Sequence, residues 1–436
     1  MRKNELTLID KKIFWVFIFQ IFKILNGLIP IVLIPLYLSL HEQGIWFLML
    51  SFGAIILLFS ASQNSIALIF GSHEFRNLKI NKLSIIGMQN DINTLFSFLK
   101  FSNEFFLKFL TSLSVLVFFS FFFYIDEIDS FNLSIIFMVY ILGLFIYGVN
   151  FSILSYIESF NQVEYAYKYK SILIITIMIL TIIFLYYDYK LYALSLSVFL
   201  SMFFWCVYFL YKFKNNIKNI INKKMQFNKN KKIIFLTYFK KNSFSMVSGF
   251  LLFQIYTPIV YFFYGSEYAG KVGLSIAIMT ALFALSTSVI YAKLASITNM
   301  IADKNYKKAY HIYFKTSKFS LIIFIAFLLL GLYLLFYIDL FAIYQVRVVD
   351  INSFILLSLA WLLQLVVYVF VTFTRIFKRE LFVFPTIVSS IYILITTIMI
   401  LKYYSIDFIF LGLLSSYFFG LPWIYVIYRK FLKGKI

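Results

Sequence analysis

Lys23 is hard to explain as packing. It interrupts the run "IFWVFIFQIFKILNGLIPIVLIPL", residues 13–36. An ammonium at the centre of a membrane helix costs about 2.5–3.5 kcal/mol on insertion scales, so it marks function unless something compensates it. Ten residues past Ile13, at about 1.5 Å per residue, Lys23 lies roughly 15 Å into an apolar core of roughly 30 Å. On a helical wheel Gln20, Lys23, Gly27 and Pro30 share one face, with Asn26 at its margin. A cation on such a stripe suits an anion crossing a low-dielectric interior. The bland alternative is a lysine that snorkels or bonds to a neighbouring helix's carbonyls, and snorkelling is difficult from that depth.

Other polar groups are weighed against plainer roles. "SASQNS", residues 60–65, places Gln63 and Asn64 inside a second apolar run; helix–helix packing is the first expectation for both, contact with sugar hydroxyls the second. Gln254 and Gln364 are read the same way. Lys293 and Arg375 stand at the ends of apolar runs, placed to collect an anion at the mouth of a path. Basic residues at such ends are also expected from topology alone. Lys108 follows Glu104 by four residues, the spacing of a local helix pair. Glu158 and Glu164 are candidate coupling or gating groups, although a solvated loop explains them as well. "YIDEIDS" (Asp126, Glu127, Asp129) resembles the aspartate pair of a metal-dependent glycosyltransferase but stands in a turn of a few residues. His41, His73 and His311 are scattered, forming neither a metal spacing nor a triad. The single cysteine, Cys206, excludes an intramolecular disulfide and is read as packing. No pattern calls for a cofactor. "YLSLHEQGIWF", residues 37–47, reads as a hydrated hairpin tip, with Gly44 permitting the reversal and Tyr37 and Trp46 in the interfacial belt.

The elements that hold these groups follow from composition. The 436 residues are 62% hydrophobic, 22% aromatic and 13% charged, against roughly 45–50% apolar and 25% charged in soluble domains. Lipid must serve as part of the solvent. The apolar runs are long and do not alternate with polar residues, which predicts helices and not β-barrel strands. The first run is too long for a signal peptide and has no cleavage site, so it is expected to be retained. Twelve spans are expected: 13–38, 45–70, 105–125, 131–157, 171–187, 191–211, 244–264, 272–292, 319–338, 351–373, 381–401 and 406–428. The fold class is thus an all-α polytopic membrane protein.

Charge placement orients the spans. The net charge is +21, and most Lys and Arg fall at the two termini and in the connections 71–104, 158–170, 212–243, 293–318 and 374–380. The opposite side has only Lys190, Lys271, Arg347 and Lys402. That asymmetry predicts cytoplasmic termini and makes a nucleic-acid partner unnecessary. Short exterior loops argue against a membrane glycosyltransferase or polymerase, the enzyme alternative. Segment 71–104 is amphipathic enough to lie along the membrane surface. Segment 212–243, with ten Lys and no acid, reads as a hydrated basic linker that pins topology and attracts anionic lipid. The expected domains are a six-helix lobe over 1–211, the linker 212–243, and a second six-helix lobe over 244–436. Pro258, Glu267 and Gly270 echo Pro35, Glu42 and Gly44 as a weak repeat, consistent with parallel halves around a central cavity.

The run "LYLSLHEQGIWFLMLSFGAIILLF" followed by "FGSHEF" (residues 70–75) resembles the N-terminal region of bacterial O-antigen flippases, within the multidrug/oligosaccharidyl-lipid/polysaccharide exporter superfamily. The resemblance implies a two-lobed inner-membrane transporter, not an enzyme. Its substrate would be an oligosaccharide linked to a polyprenyl diphosphate, moved from the cytoplasmic to the periplasmic leaflet. It also implies a polysaccharide polymerase and a chain-length regulator as partners, besides the phospholipid bilayer. The expected substrate path is lined by Lys23, Gln20, Asn26, Gln63, Asn64, Lys293 and Arg375. The absence of Asp or Glu at any expected midplane argues against a cation-coupled multidrug exporter, the runner-up.

Overall fold

The structure, a computed structural model, describes residues 2–74, 78–81, 84–125, 130–160, 162–212, 214, 228–377, 379 and 381–433. Among the described residues, twelve long helices carry the fold. They are α1 (Arg2–Tyr37), α2 (Leu40–Glu74), α3 (Gln89–Phe122), α4 (Ser130–Ser159), α5 (Val163–Tyr186) and α6 (Tyr192–Lys212). The rest are α7 (Lys229–Phe253), α8 (Tyr256–Ala302), α9 (Tyr306–Tyr337), α10 (Ile351–Ile376), α11 (Val383–Tyr403) and α12 (Leu411–Lys433). Between α2 and α3 lies a small antiparallel hairpin, β1 (Lys79–Asn81) and β2 (Ser84–Ile86), with Ile80 opposite Ile85. Residues 89–104 are the start of the 34-residue α3 and not a separate surface helix.

Among the described residues, eleven helical stretches are long and apolar enough to cross a membrane. One of them, Val247–Leu294, has 48 residues, or about 70 Å at 1.5 Å per residue, more than twice a hydrocarbon core. Gly265 breaks it, with φ 80° and ψ −175°, a conformation reserved for glycine. The two spans expected over 244–264 and 272–292 fall on either side of that break. Apolar side chains such as Phe14, Phe17, Ile322 and Leu329 stay exposed, as lipid-facing residues must.

The chain divides into two compact units, Met1–Asn26 with Phe52–Val247, and Gly27–Ser51 with Ser248–Ile436. This differs from a division at the basic linker in two ways. Residues 27–51 count with the second unit, because the α1–α2 tip is bonded there. Residues 229–243 are not a hydrated linker: they are helical, and Phe235 of α7 is fully buried. Its ring meets Phe101 at 5.4 Å, Phe70 at 5.7 Å and Phe105 at 5.8 Å, an aromatic cluster whose burial outweighs the solvation of the flanking lysines. The stretch 215–227 lies outside the described residues, as do Asp126, Glu127 and Asp129.

Inside the first unit, polar side chains bridge neighbouring helices. Asn150 Nδ2 donates to the Met202 carbonyl at 2.9 Å, and Thr181 Oγ1 donates to Ser197 Oγ at 2.9 Å. The second unit is tied similarly: Tyr313 Oη donates to the Val369 carbonyl (2.7 Å) and Ser320 Oγ to the Ser286 carbonyl (2.6 Å). With lipid outside, no hydrophobic force separates helix from helix. Small residues and such bonds therefore set the contacts.

Candidate functional site

Five of the seven sequence-derived site residues belong to the first unit: Gln20, Lys23, Asn26, Gln63 and Asn64. On α1 the exposed apolar residues Phe14, Phe17, Ile21 and Leu25 form one stripe, and at 100° per residue Lys23 points half a turn away from it. The side chain of Lys23 is exposed, while Gln20 and Asn26 are half-buried. Trp15, Phe19 and Lys23 follow one another at four-residue intervals, on neighbouring turns of one face. Two of the three meet α5: the Phe19 ring lies 5.5 Å from Tyr167 in an edge-on contact, and Lys168 Nζ lies 5.7 Å from the Trp15 ring. Lys23 continues this face one turn further in and, among the described residues, makes no ion pair.

The stretch "EYAYKYK", residues 164–170, organises the end of α5 that receives α1. Lys170 Nζ forms a 2.5 Å ion pair with Glu158 Oε2 at the end of α4, with side chains only 9% and 13% exposed. The same ammonium lies 4.6 Å from the Tyr167 ring, whose phenol faces Glu158. Glu158 is therefore not a solvated loop residue. A carboxylate so enclosed is tolerable only with its charge matched, which Lys170 does. Sequence spacing did not reveal this pair, because its partners are twelve residues apart across a helix turn. By contrast Glu104 and Lys108, expected as a local pair, are both exposed and make no ion pair among the described residues; on a solvated face such a pair is worth only a few tenths of a kcal/mol.

Gln63 is fully buried, and its Nε2 donates to Tyr156 Oη at 3.3 Å; that phenol also shares a 2.5 Å hydrogen bond with Ser102 Oγ. The network ties α2, α3 and α4. Gln63 Oε1 and Asn64 Oδ1 are buried without a hydrogen-bond partner among the described residues. The other two site residues, Lys293 and Arg375, lie in the second unit on α8 and α10, and both are exposed. Gln364 Oε1 accepts from Tyr417 Oη at 2.9 Å, a packing role. Among the described residues no group of three or more His, Cys, Asp or Glu is placed to hold a metal ion.

The tip "SLHEQG" differs from its sequence reading. The reversal occurs at Leu38 and Ser39, and His41 to Gly44 are already helical. Ser39 N donates to Glu42 Oε2 (2.8 Å) while Glu42 N donates to Ser39 Oγ (3.1 Å), a reciprocal capping box. Gln43 is fully buried, and its Nε2 donates to the carbonyls of Gly270 and Arg347, each at 2.9 Å. Gly44 lies so close to Ser266 that a Cβ would strike its carbonyl, and a Cβ on Gly270 would come within 2.8 Å of Gly44 N. The two glycines paired by the weak repeat are thus in direct backbone contact. Trp46 is 1% exposed, so it belongs to the core and not to an interfacial belt. Burial lowers the Arg347 guanidinium from its ordinary pKa, and the nearby Glu42 carboxylate opposes that shift.

No protein-family model matches the sequence, and no curated protein matches it. Solved structures do. The lipid II flippase MurJ, in an inward closed conformation, is similar with TM-score 0.67 and 17% identity, over 94% of this chain and 86% of that one. An inward-facing multidrug resistance transporter of the MATE family, in the MOP superfamily, gives TM-score 0.61 and 13% identity over 96% of each chain. A MOP superfamily transporter from Pyrococcus furiosus gives TM-score 0.60 and 14% identity, over 97% of this chain and 95% of that one. At such identities the likeness concerns the fold: this is a multi-pass helical fold like that of MOP superfamily transporters.

Proposed function

We propose that this protein is a flippase. It carries undecaprenyl-pyrophosphate-linked O-antigen, or a related polysaccharide repeat unit, from the cytoplasmic to the periplasmic leaflet of a bacterial inner membrane by alternating access. The observation that carries the reading is Lys23, exposed on the face of α1 opposite its lipid-like stripe and without an ion pair among the described residues. A cation on that face attracts an anion, and a diphosphate offers acceptor oxygens that an ammonium can meet with its three donors. Gln20 and Asn26, half-buried beside it, supply amide groups for further polar contact. Lys293 and Arg375 would collect the diphosphate at the cytoplasmic mouth. The fold likeness to a lipid II flippase supports a lipid-linked substrate.

The bonded α1–α2 tip supports a transport cycle. The basic-residue distribution favours a periplasmic position for this tip, and Gln43 fastens it to Gly270 and Arg347. Its release would break those two side-chain bonds and the close packing of Gly44 on Ser266 and Gly270, and would also have to shift the buried residues Ile45 to Met49 that follow it. Multidrug export is the second reading, favoured by the fold likeness to multidrug transporters. Complementation of a flippase-null strain decides between them. Restored surface polysaccharide, with loss of cytoplasmic-side lipid-linked units, is expected. Drug resistance without such restoration would overturn the proposal, and incompletely assembled units would point instead to an enzyme.

A further inference from the structure

Where the first turns of α5 meet the last turns of α6, three tyrosine side chains converge on one ammonium. Lys212 Nζ donates to Tyr208 Oη at 3.1 Å and to Tyr169 Oη at 3.3 Å, and these two hydroxyls are 3.0 Å apart. The ammonium also lies 4.7 Å from the Tyr165 ring, 5.2 Å from Tyr169 and 5.3 Å from Tyr208. Trp205 braces the group edge-on, 5.3 Å from Tyr208 and 5.7 Å from Tyr169. Among the described residues Lys212 has no carboxylate partner.

We propose that this cluster binds the phosphate of a membrane lipid. A lysine has three donors and no acceptor; two go to Tyr208 and Tyr169, and the third is directed at the Tyr165 hydroxyl, which is buried without another hydrogen-bond partner among the described residues. Of the two phenol protons on Tyr169 and Tyr208, one is used between them and the other is left over. That proton and the Tyr165 O–H therefore remain, beside a charge that phenols and ring faces solvate but do not neutralise. A phosphate oxygen only accepts, so it fits this surplus. The depth is right as well: Lys212 is the last residue of α6, where an apolar span gives way to headgroups. Tyrosine and tryptophan belts are general at that depth, but here their hydroxyls and faces gather on one cation. Lys214 is the contrast: it is exposed and lies over a single ring, Tyr211, at 5.2 Å.

Two lipids present this chemistry, an anionic phospholipid and a polyprenyl diphosphate, and the site does not depend on the flippase reading. Native mass spectrometry of the purified full chain, titrated separately with phosphatidylglycerol, a polyprenyl diphosphate and phosphate-free diacylglycerol, tests it. Retention of either phosphate lipid over diacylglycerol is expected, with Lys212→Gln binding roughly tenfold more weakly, as the loss of the positive charge behind the phenol donors predicts. Tyr208→Phe, which keeps the ring, should weaken binding about threefold, and Lys214→Gln should stay within about twofold. Preference for the diphosphate assigns the site to substrate capture, and equal or stronger phosphatidylglycerol binding assigns it to a resident lipid; both uphold it. Unchanged binding by folded Lys212→Gln, an unaltered Tyr208→Phe, or an equal loss in Lys214→Gln would overturn it.

Discussion

Removing one member of the Glu158–Lys170 pair should cost far more than removing both. The pair is 2.5 Å apart, with side chains 9% (Lys170) and 13% (Glu158) exposed, so solvent screens it little. An exposed pair would be worth about 0.2–1 kcal/mol, whereas stranding one buried charge costs about 3–5 kcal/mol. In Glu158→Gln the Tyr167 ring, 4.6 Å from Lys170 Nζ, recovers about 1 kcal/mol as a cation–π contact. A loss of about 2–4 kcal/mol is therefore expected. Lys170→Met leaves the carboxylate without its cation and should lose about 3–5 kcal/mol. The double variant buries two neutral side chains and should lie within about 1 kcal/mol of the parent, giving a coupling energy well above 2 kcal/mol. Unfolding in mixed detergent and thermal melts of the purified protein measure the cycle. Single losses below about 1 kcal/mol, or a double loss equal to the sum of the singles, would refute the reasoning.

The α1–α2 tip and the aromatic cluster allow two further tests. Gln43→Ala removes both bonds of its Nε2 and strands the Gly270 and Arg347 carbonyls; at about 1–3 kcal/mol for each stranded group, thermal stability should fall clearly, and unaltered melting would show the tip to be held by packing alone. Phe235→Ala empties a fully buried site among phenylalanines and should cost about 3–5 kcal/mol by the same unfolding assay, whereas a hydrated linker would tolerate it at under about 0.5 kcal/mol.

The spans were legible in the sequence because their apolar runs exceed what any soluble element needs. Even the seventh and eighth emerged, although the seventh straddles the junction of α7 and α8 and only Gly265 separates it from the eighth within the 47-residue α8. The weak repeat that aligned Gly44 with Gly270 singled out two residues that touch, although sequence could not say so. Other features depended on tertiary context. Ser39 and Glu42 have the three-residue spacing of a capping box, a readable signal eclipsed by the expectation of a turn. Trp46 and Phe235 are side chains that interface or linker would accept, and only their neighbours show them to be core. Glu158 and Lys170 are too far apart for a helix-spacing rule, so their pairing is visible only in the fold. Of the candidate site, Gln20, Lys23 and Asn26 come from one helix face, which periodicity can read. The Tyr165–Lys212 cluster joins two helices, which periodicity cannot.

Translocation of a lipid-linked oligosaccharide in proteoliposomes, compared for the parent, Lys23→Ala and Lys23→Arg at equal protein level, is the most direct test of the flippase proposal. Loss of a charge-assisted contact to the diphosphate should slow Lys23→Ala roughly tenfold or more, while Lys23→Arg keeps the cation and most of the rate. A Lys23→Ala protein that inserts normally and translocates at the parent rate would contradict it.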